Sequence, residues 1–134
     1  MNGSKTRQVD LALVHRASGR RKMISCKWSV RSDREEQFVS DFQDYSELDR
    51  SKHGFDYILV TNEFDPARLA AACEVQRHGK PLFNTVVHVN PKGPQVAQNA
   101  FMPQPGKRAA GNLRMNRHIE TGRLSSLDAW IDEL

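Results

Sequence analysis

Residues 55–63, FDYILVTNE, restrict the fold more than any other segment. The run has the length of a strand and is mostly apolar, as is typical of a strand that is covered on both faces of a parallel sheet. Residues 65–79 then combine an N-cap Asp65, Pro66 at the first helical position, an alanine-rich body and a terminal Gly79, which predicts a helix over the whole segment. A buried strand followed by a helix predicts an α/β domain.

The first half of the chain predicts a hairpin followed by a helix. Residues 8–16 and 21–30 are strand-like and flank a turn at Ser18-Gly19, so we expect the two strands to pair antiparallel. Residues 32–35, SDRE, match the capping box and predict the start of a helix that ends before Gly54.

The second half predicts one more strand, an arm and a helix. Residues 83–90 are rich in β-branched side chains and predict a strand. Residues 91–124 are rich in Pro, Gly, Asn and Gln and are expected to be an irregular basic arm, apart from a short turn of helix near residues 95–100. Residues 125–134 are expected to form a helix that is capped by Ser125 or Ser126. At 134 residues we expect a single domain, with residues 1–90 as a mixed-sheet α/β core.

The distribution of apolar residues indicates the cellular location to expect for the protein. No apolar run approaches the ~18 residues that span a bilayer, and the N-terminus lacks the apolar core of a signal peptide, so a cytoplasmic location without membrane contact is expected. Cys26 and Cys73 are then predicted to be reduced and buried. Trp28 is expected to pack in the core or along the stem of Lys27.

Positive charge is clustered in two tracts. Residues 1–34 contain nine Lys and Arg against two Asp and Glu, whereas the rest of the chain contains eleven against fourteen. Such clustering is typical of proteins that bind nucleic acid, although many basic clusters are only solvated surface. The predicted arm holds the second tract, and four of its side chains are candidates for contacts with DNA phosphates. They are Lys107, Arg108, Arg114 and Arg117.

Asp10 and Lys27 form a candidate catalytic pair. They lie on the two strands of the predicted hairpin, so both side chains can reach the same edge of the sheet. A carboxylate there can hold Mg²⁺, the carbonyl oxygen of Cys26 can add a ligand, and a lysine can orient or deprotonate the attacking water. Asp41 and Asp44 on the following helix are candidates for a further carboxylate. The alternative is a solvated or salt-bridged pair without catalytic function.

Arg31, Asp33 and Arg34 follow within seven residues of Lys27. In the major groove guanine presents two acceptors that arginine matches in a bidentate manner, and cytosine presents an amino donor that a carboxylate accepts. The three side chains therefore predict a segment that reads neighbouring G·C pairs. The alternative is that Asp33 stabilises the first turn of the helix through its dipole while the arginines lie along the surface.

The run SCKWSVRSDR, residues 25–34, resembles the active-site and recognition segment of the type II restriction endonucleases that cut sites with a CCGG core, within the PD-(D/E)XK nuclease superfamily. In that family an Asp on one strand is followed by Ser-Cys-Lys or a similar triplet on the next, and then by Arg-x-Asp-Arg. The resemblance spans about residues 9–45. It implies a PD-(D/E)XK core with a mixed sheet flanked by helices, Mg²⁺ as cofactor and double-stranded DNA as substrate.

The resemblance also implies a role for each matching residue. Asp10 matches the metal-binding Asp and Lys27 the catalytic Lys, while Ser25 stands where the superfamily usually has Glu or Asp. The acid of the triplet is displaced to the helix, where this chain has Asp41 in place of Glu. The implied base readers are Arg31 and Arg34 for guanine and Asp33 for cytosine. A palindromic site implies a twofold homodimer, because identical readers must meet identical half-sites.

Only nine residues precede Asp10, whereas the superfamily core normally begins with a helix and a further strand. The chain is then expected to be a piece or reduced form of a larger nuclease, or to have its sheet completed by a partner or by the C-terminal arm. Two other functions stay open. One is a catalytically inactive DNA-binding module of the same fold, and the other is a nuclease that acts in repair or on DNA junctions.

Overall fold

The computed structural model describes residues 10–31, 34–49, 54–94, 96 and 107–134. The main sheet contains the strands β1 (Leu11–Val14), β2 (Arg21–Lys27), β3 (Phe55–Thr61), β6 (Thr85–His88) and β7 (Leu124–Ser126). A separate two-stranded hairpin is formed by β4 (Gln76–Arg77) and β5 (Lys80–Pro81). The helices are α1 (Glu35–Leu48), α2 (Pro66–Glu74), α3 (Lys107–Thr121) and α4 (Leu127–Glu133). Among the described residues, none of the helices has the length and apolar character that a membrane span requires.

The main sheet is mixed and has the order β1-β2-β3-β6-β7. The edge strand β1 runs antiparallel to β2, which confirms the predicted hairpin, and the remaining neighbours pair in parallel. The carboxyl ends of β2, β3, β6 and β7 therefore meet at one edge of the sheet, and the amino end of β1 lies at that same edge. The predicted α/β fold with a mixed sheet is confirmed.

Helices cover both faces of the sheet. On one face Tyr57, Leu59 and Val86 pack into a buried cluster with side chains of α1, α2 and α3. On the other face Ile58 packs with Trp130 of α4. The central strand β3 is thus buried on both sides, as its apolar sequence predicts.

Helix α1 begins at Glu35 and carries the apolar face that its spacing predicts. Phe38 and Tyr45 are buried, and Phe42 packs against the same cluster. Arg34 occupies the N-cap position, and its side chain makes no capping hydrogen bond. Ser32, the predicted cap, lies outside the described residues.

Helix α2 starts as predicted and ends earlier than predicted. The Asp65 side chain accepts hydrogen bonds from the backbone N–H groups of Ala67 (2.9 Å) and Arg68 (3.4 Å). The predicted end at Gly79 is wrong, because the helix ends at Glu74 and the chain turns back through the β4–β5 hairpin. Gly79 adopts a positive φ of 76° in that turn. The early stop buries Val75 and Leu82, which are joined by a backbone hydrogen bond of 2.8 Å.

The prediction of an irregular arm over residues 91–124 is wrong for its second half, where α3 and β7 are regular elements. Helix α3 contains a glycine, two asparagines and few apolar residues, so its own sequence favours a helix only weakly. Packing against α2 stabilises it instead: Met115 is fully buried, and Gly111 lies directly against the backbone of Ala67. The predicted helical turn near residues 95–100 falls almost wholly outside the described residues.

Charged side chains reinforce the contact between α2 and α3. Glu74 at the end of α2 forms an ion pair with Arg114, whose Nε donates over 3.1 Å, and lies 2.8 Å from Nε2 of His118. The hydrogen bond from Arg114 and that from His118, opposed by desolvation, hold the pKa of Glu74 below its ordinary value. These contacts join residues that are about forty positions apart in the sequence.

Replacing Gly111 with Val should destabilise the protein. A Cβ at this position would lie 2.9 Å from Cβ of Ala67 and 3.0 Å from its Cα, so the two helices would have to separate. We expect a loss of about 2 kcal/mol in the free energy of unfolding and a melting temperature lower by roughly 5 °C or more, measured by circular dichroism. The control Ala110→Val changes an exposed position of the same helix and should cost only about 0.5 kcal/mol. Equal effects of the two changes would contradict the close packing at Gly111.

Candidate active site

Asp10 and Lys27 both lie at the carboxyl edge of the sheet. Asp10 directly precedes β1, and because β1 is antiparallel to β2 the residue lies beside the end of β2. Its Oδ2 accepts a hydrogen bond of 2.7 Å from the backbone N–H of Cys26. Lys27 is the next residue and the last of β2. The hairpin thus places Asp10 and Lys27 at the same edge of the sheet, and their action as a catalytic pair stays a prediction.

Electrostatics around Cys26 reflect the same proximity. Desolvation and then the Asp10 carboxylate raise the pKa of the Cys26 thiol, while Lys27 acts in the opposite direction. Cys26 and Cys73 are free thiols and form no disulfide with each other, as predicted, and Cys73 is buried as predicted. The predicted burial of Cys26 is wrong, because its side chain lies on the exposed side of β2 near the sheet edge.

Asp41 lies on α1 and approaches the same region. Its Oδ1 accepts a hydrogen bond of 2.9 Å from Nε2 of Gln37. Burial raises the pKa of Tyr57, and the neighbouring Tyr45 and the carboxylates of Asp41 and Asp10 raise it further. The Tyr57 hydroxyl is buried and has no hydrogen-bond partner among the described residues. Asp10 and Asp41 thus both lie near enough to Tyr57 for their charges to raise the pKa of its hydroxyl.

The other two predicted members differ in their surroundings. Ser25 is buried next to Leu59 of β3 and is thus a small polar group inside the sheet. Asp44, the alternative helix carboxylate, is buried as well, at 6% exposure.

The side chains at this edge suit Mg²⁺ only as a partial cage. Among the described residues no group of three His, Cys, Asp or Glu side chains is arranged to hold a metal ion. Mg²⁺ commonly takes one or two protein carboxylates and completes its octahedron with water and substrate phosphate oxygens. Asp10, whose Oδ2 is already hydrogen-bonded to the Cys26 amide, and Asp41 on α1 are the two carboxylates predicted for such a site.

The predicted reading segment starts immediately beyond this edge. Arg31 is exposed, and its carbonyl oxygen accepts a hydrogen bond of 3.0 Å from the backbone N–H of Arg34, the N-cap residue of α1. The two arginines are therefore separated by a single tight turn. Asp33 lies outside the described residues.

Trp28 directly follows Lys27, and its side chain is 80% exposed. The prediction that it packs in the core is therefore wrong. Its carbonyl oxygen accepts hydrogen bonds from Thr61 and Asn62, so the backbone that carries this exposed indole is tied to the end of β3.

The second basic tract is not a uniform phosphate-binding surface. Arg114 is engaged by Glu74, whereas Arg117 is exposed, and the DNA contacts expected of both arginines stay predictions. Arg123 donates to the backbone carbonyl oxygens of Cys73, Asn84 and Phe83 and so joins α2 to the loop before β6. The side chains of Lys107 and Arg108 lie outside the described residues.

Sequence reasoning missed a buried polar network at the ends of β3 and β6. His88 is fully buried, and its Nδ1 accepts a hydrogen bond of 2.9 Å from the Asn90 N–H. The ring proton therefore sits on Nε2, which donates to the carbonyl oxygen of Glu63 over 2.7 Å. The signal available in the sequence was a polar residue near the end of each buried strand, Glu63 two residues beyond β3 and His88 as the last residue of β6, at the edge where parallel strands end.

The comparisons with known proteins leave the family of this chain open. No protein-family model, no curated protein and no solved structure matches it. The function is therefore argued from the residues at the sheet edge and from the sequence resemblance.

The network makes the stability of the protein sensitive to mild acid. Burial lowers the pKa of His88 from its ordinary value near 6.5, although hydrogen bonds to Glu63 and Asn90 raise it in part. The unfolded chain then binds the additional proton more readily, so the stabilisation from neutral His88 is present above that value and lost as the pH falls below it.

We therefore expect His88→Gln to flatten the pH dependence. The Gln amide can still donate to Glu63 but does not titrate, so the melting temperature of the variant should fall less than that of the wild type between about pH 7 and pH 5.5. The measurement is thermal unfolding across that range. His15→Gln, at an exposed position in the hairpin turn, is the matched control and should keep the wild-type slope. An unchanged slope in His88→Gln would show that His88 does not carry the effect.

Proposed function

We propose that this protein is a Mg²⁺-dependent, sequence-specific DNA endonuclease similar to the type II restriction enzymes with a CCGG-like site. The observation that carries the proposal is the arrangement at the carboxyl edge, where the Asp10 carboxylate is hydrogen-bonded to the amide of Cys26 and Lys27 is the next residue. The exposed Arg31 follows four residues later. Groups suited to cleavage and groups suited to base recognition thus share one short stretch of chain.

In this proposal each residue has a distinct task. Asp10 and Asp41 would hold the metal ion, and Lys27 would orient or deprotonate the attacking water. When bound, Mg²⁺ supplies positive charge against the charge that develops on the scissile phosphate. Phe38 and Tyr45 fix α1, the helix that carries Asp41, by packing it against the sheet.

Recognition is assigned to the segment between β2 and α1. Arg31 and Arg34 each match the two acceptors of guanine, and Asp33 accepts from the amino group of cytosine. Because the turn joining the arginines begins four residues after Lys27, a base contact there would also position the neighbouring phosphate near Lys27. A palindromic site would be read by a homodimer with the same segment in each half-site.

A second candidate function is sequence-specific DNA binding without cleavage. It is favoured by the lack of a third metal-binding side chain around Asp10 and Asp41 within the described residues, and by the buried serine where an acid is usual. The two functions differ in one respect that an assay measures directly, which is whether bound DNA is cut when Mg²⁺ is added.

Replacing Lys27 with Ala should abolish cleavage while binding is retained. On plasmid DNA with CCGG sites, we expect discrete fragments from the wild type in Mg²⁺ and a rate at least about a hundredfold lower in the variant. The matched control is Lys80→Ala, which removes an exposed lysine from the β4–β5 hairpin and should cut normally. Binding to a CCGG duplex without cleavage by the wild type would support the binding module and contradict the endonuclease.

Replacing Asp33 with Ala should weaken the preference for the site. We expect the ratio of dissociation constants between a CCGG duplex and a duplex with one changed base pair to fall by about tenfold, measured by fluorescence anisotropy without Mg²⁺. Asp132→Ala changes an exposed carboxylate on α4 and serves as the control. If the ratio stays the same in Asp33→Ala, the assignment of Asp33 as a base reader is wrong.

A further inference from the structure

The loop that follows β2 is tied to the end of β3 by its backbone. The carbonyl oxygen of Trp28 accepts hydrogen bonds from the Asn62 N–H (3.3 Å) and from the Thr61 hydroxyl (3.4 Å). Two residues further on, the Val30 N–H donates to Oε1 of Glu63 over 3.1 Å. The Asn62 anchor extends the parallel pairing of β2 and β3 beyond the sheet, whereas the anchors from Thr61 and Glu63 depend on side chains.

Glu63 is suited to hold this loop because its carboxylate is itself fixed. The residue is buried at 7% exposure. Its Oε2 accepts from the backbone N–H groups of Phe64 (3.0 Å) and Asp65 (3.3 Å). Its Oε1 lies 3.5 Å from Nη1 of Arg68. A buried carboxylate is stable only when such donors satisfy it, so its position is set by the start of α2 and not by solvent.

The backbone of Glu63 is fixed as well. Its carbonyl oxygen accepts the proton of Nε2 of His88 at 2.7 Å, and His88 is held in turn by the Asn90 N–H. Glu63 therefore connects the ends of β3 and β6 to the loop after β2. On the far side of Val30 lies Arg31, whose carbonyl oxygen closes the turn to Arg34.

We propose that Glu63 is a positioning residue for base recognition, which fixes the starting point of the reading segment by holding the Val30 amide. The inference rests on the proposed function. Glu63 would touch neither DNA nor metal and would act only through the backbone that carries Arg31.

Loss of this anchor should affect discrimination more than affinity. A bidentate contact between arginine and guanine requires a tightly defined position, whereas phosphate contacts tolerate displacement. A looser segment can still bind DNA through its charge, but it discriminates less between base pairs. The ratio between cognate and altered sites is therefore the informative quantity.

The test compares Glu63→Ala and Glu63→Gln with the wild type. Dissociation constants are measured without Mg²⁺ for a CCGG duplex and for a duplex with one changed base pair. We expect the ratio to fall by about tenfold in Glu63→Ala, with affinity for the altered duplex nearly unchanged. Glu63→Gln keeps one acceptor oxygen of two and should lie in between. If both variants are folded and keep the wild-type ratio, the inference is wrong.

Glu74→Ala is the matched control for a purely structural effect. It breaks the ion pair between α2 and α3 and so lowers stability, and among the described residues the side-chain partners of Glu74 are Arg114 and His118 on α3 rather than the loop after β2. We expect it to lower the melting temperature and to keep the wild-type ratio. A fall in the ratio equal to that in Glu63→Ala would show that any destabilisation reduces discrimination, and would overturn the positioning role.

Hydrogen exchange supplies a readout that does not involve DNA. In Glu63→Ala the Val30 amide should exchange about tenfold faster than in the wild type, while the Ile24 amide within β2 keeps its protection. Unchanged exchange at Val30 would overturn the inference. A wild type that shows no preference for CCGG while Glu63→Ala still frees the Val30 amide would instead reject the proposed function and leave Glu63 as the anchor of the loop.

Discussion

The parallel pairing of β2 with β3 is the constraint on which the rest of this structure depends. It continues through β6 and β7, so four strands end at one edge, and the hairpin adds the amino end of β1 to the same place. Asp10 and Lys27 lie at this edge, and Glu63 lies just beyond it. The apolar sequence of β3 makes the pairing possible, because a central parallel strand must tolerate burial on both faces.

Backbone amides at this edge are satisfied by carboxylates rather than by further strands. Asp10 accepts from the Cys26 amide, and Glu63 accepts from the Val30 amide. The two differ in their surroundings, since Asp10 is exposed and Glu63 is buried. An exposed carboxylate near a lysine is available to a ligand, whereas the oxygens of a buried carboxylate are already occupied by hydrogen bonds from the protein. This difference in burial distinguishes Asp10, a candidate metal-binding group, from Glu63, a positioning group. Both lie next to a strand, since Asp10 precedes β1 and Glu63 follows β3.

The second half of the chain shows how far packing can override local preference. Helix α3 has a polar sequence interrupted by Gly111, and that glycine allows the close contact with Ala67 of α2. A feature that argues against a helix in isolation is thus what permits its packing. The same contact brings Arg114 to Glu74 and so removes one arginine from the basic tract that the sequence presents as continuous. The early end of α2 has a similar origin, because Val75 and Leu82 gain burial when the chain turns back.

The sequence by itself determined the features that depend on neighbours along the chain. These are the hairpin of β1 and β2, the apolar strand β3, the Asp65 cap with Pro66, and the Ser126 cap of α4, whose hydroxyl accepts from Ala129. It also placed Asp10 and Lys27 at the same end of the hairpin, because antiparallel pairing sets the start of β1 beside the end of β2. Only the tertiary structure decided that α3 is a helix, that Trp28 is exposed, and that Glu63 holds Val30. Those outcomes depend on contacts between residues far apart in sequence, whose free energy no local pattern of residue types contains.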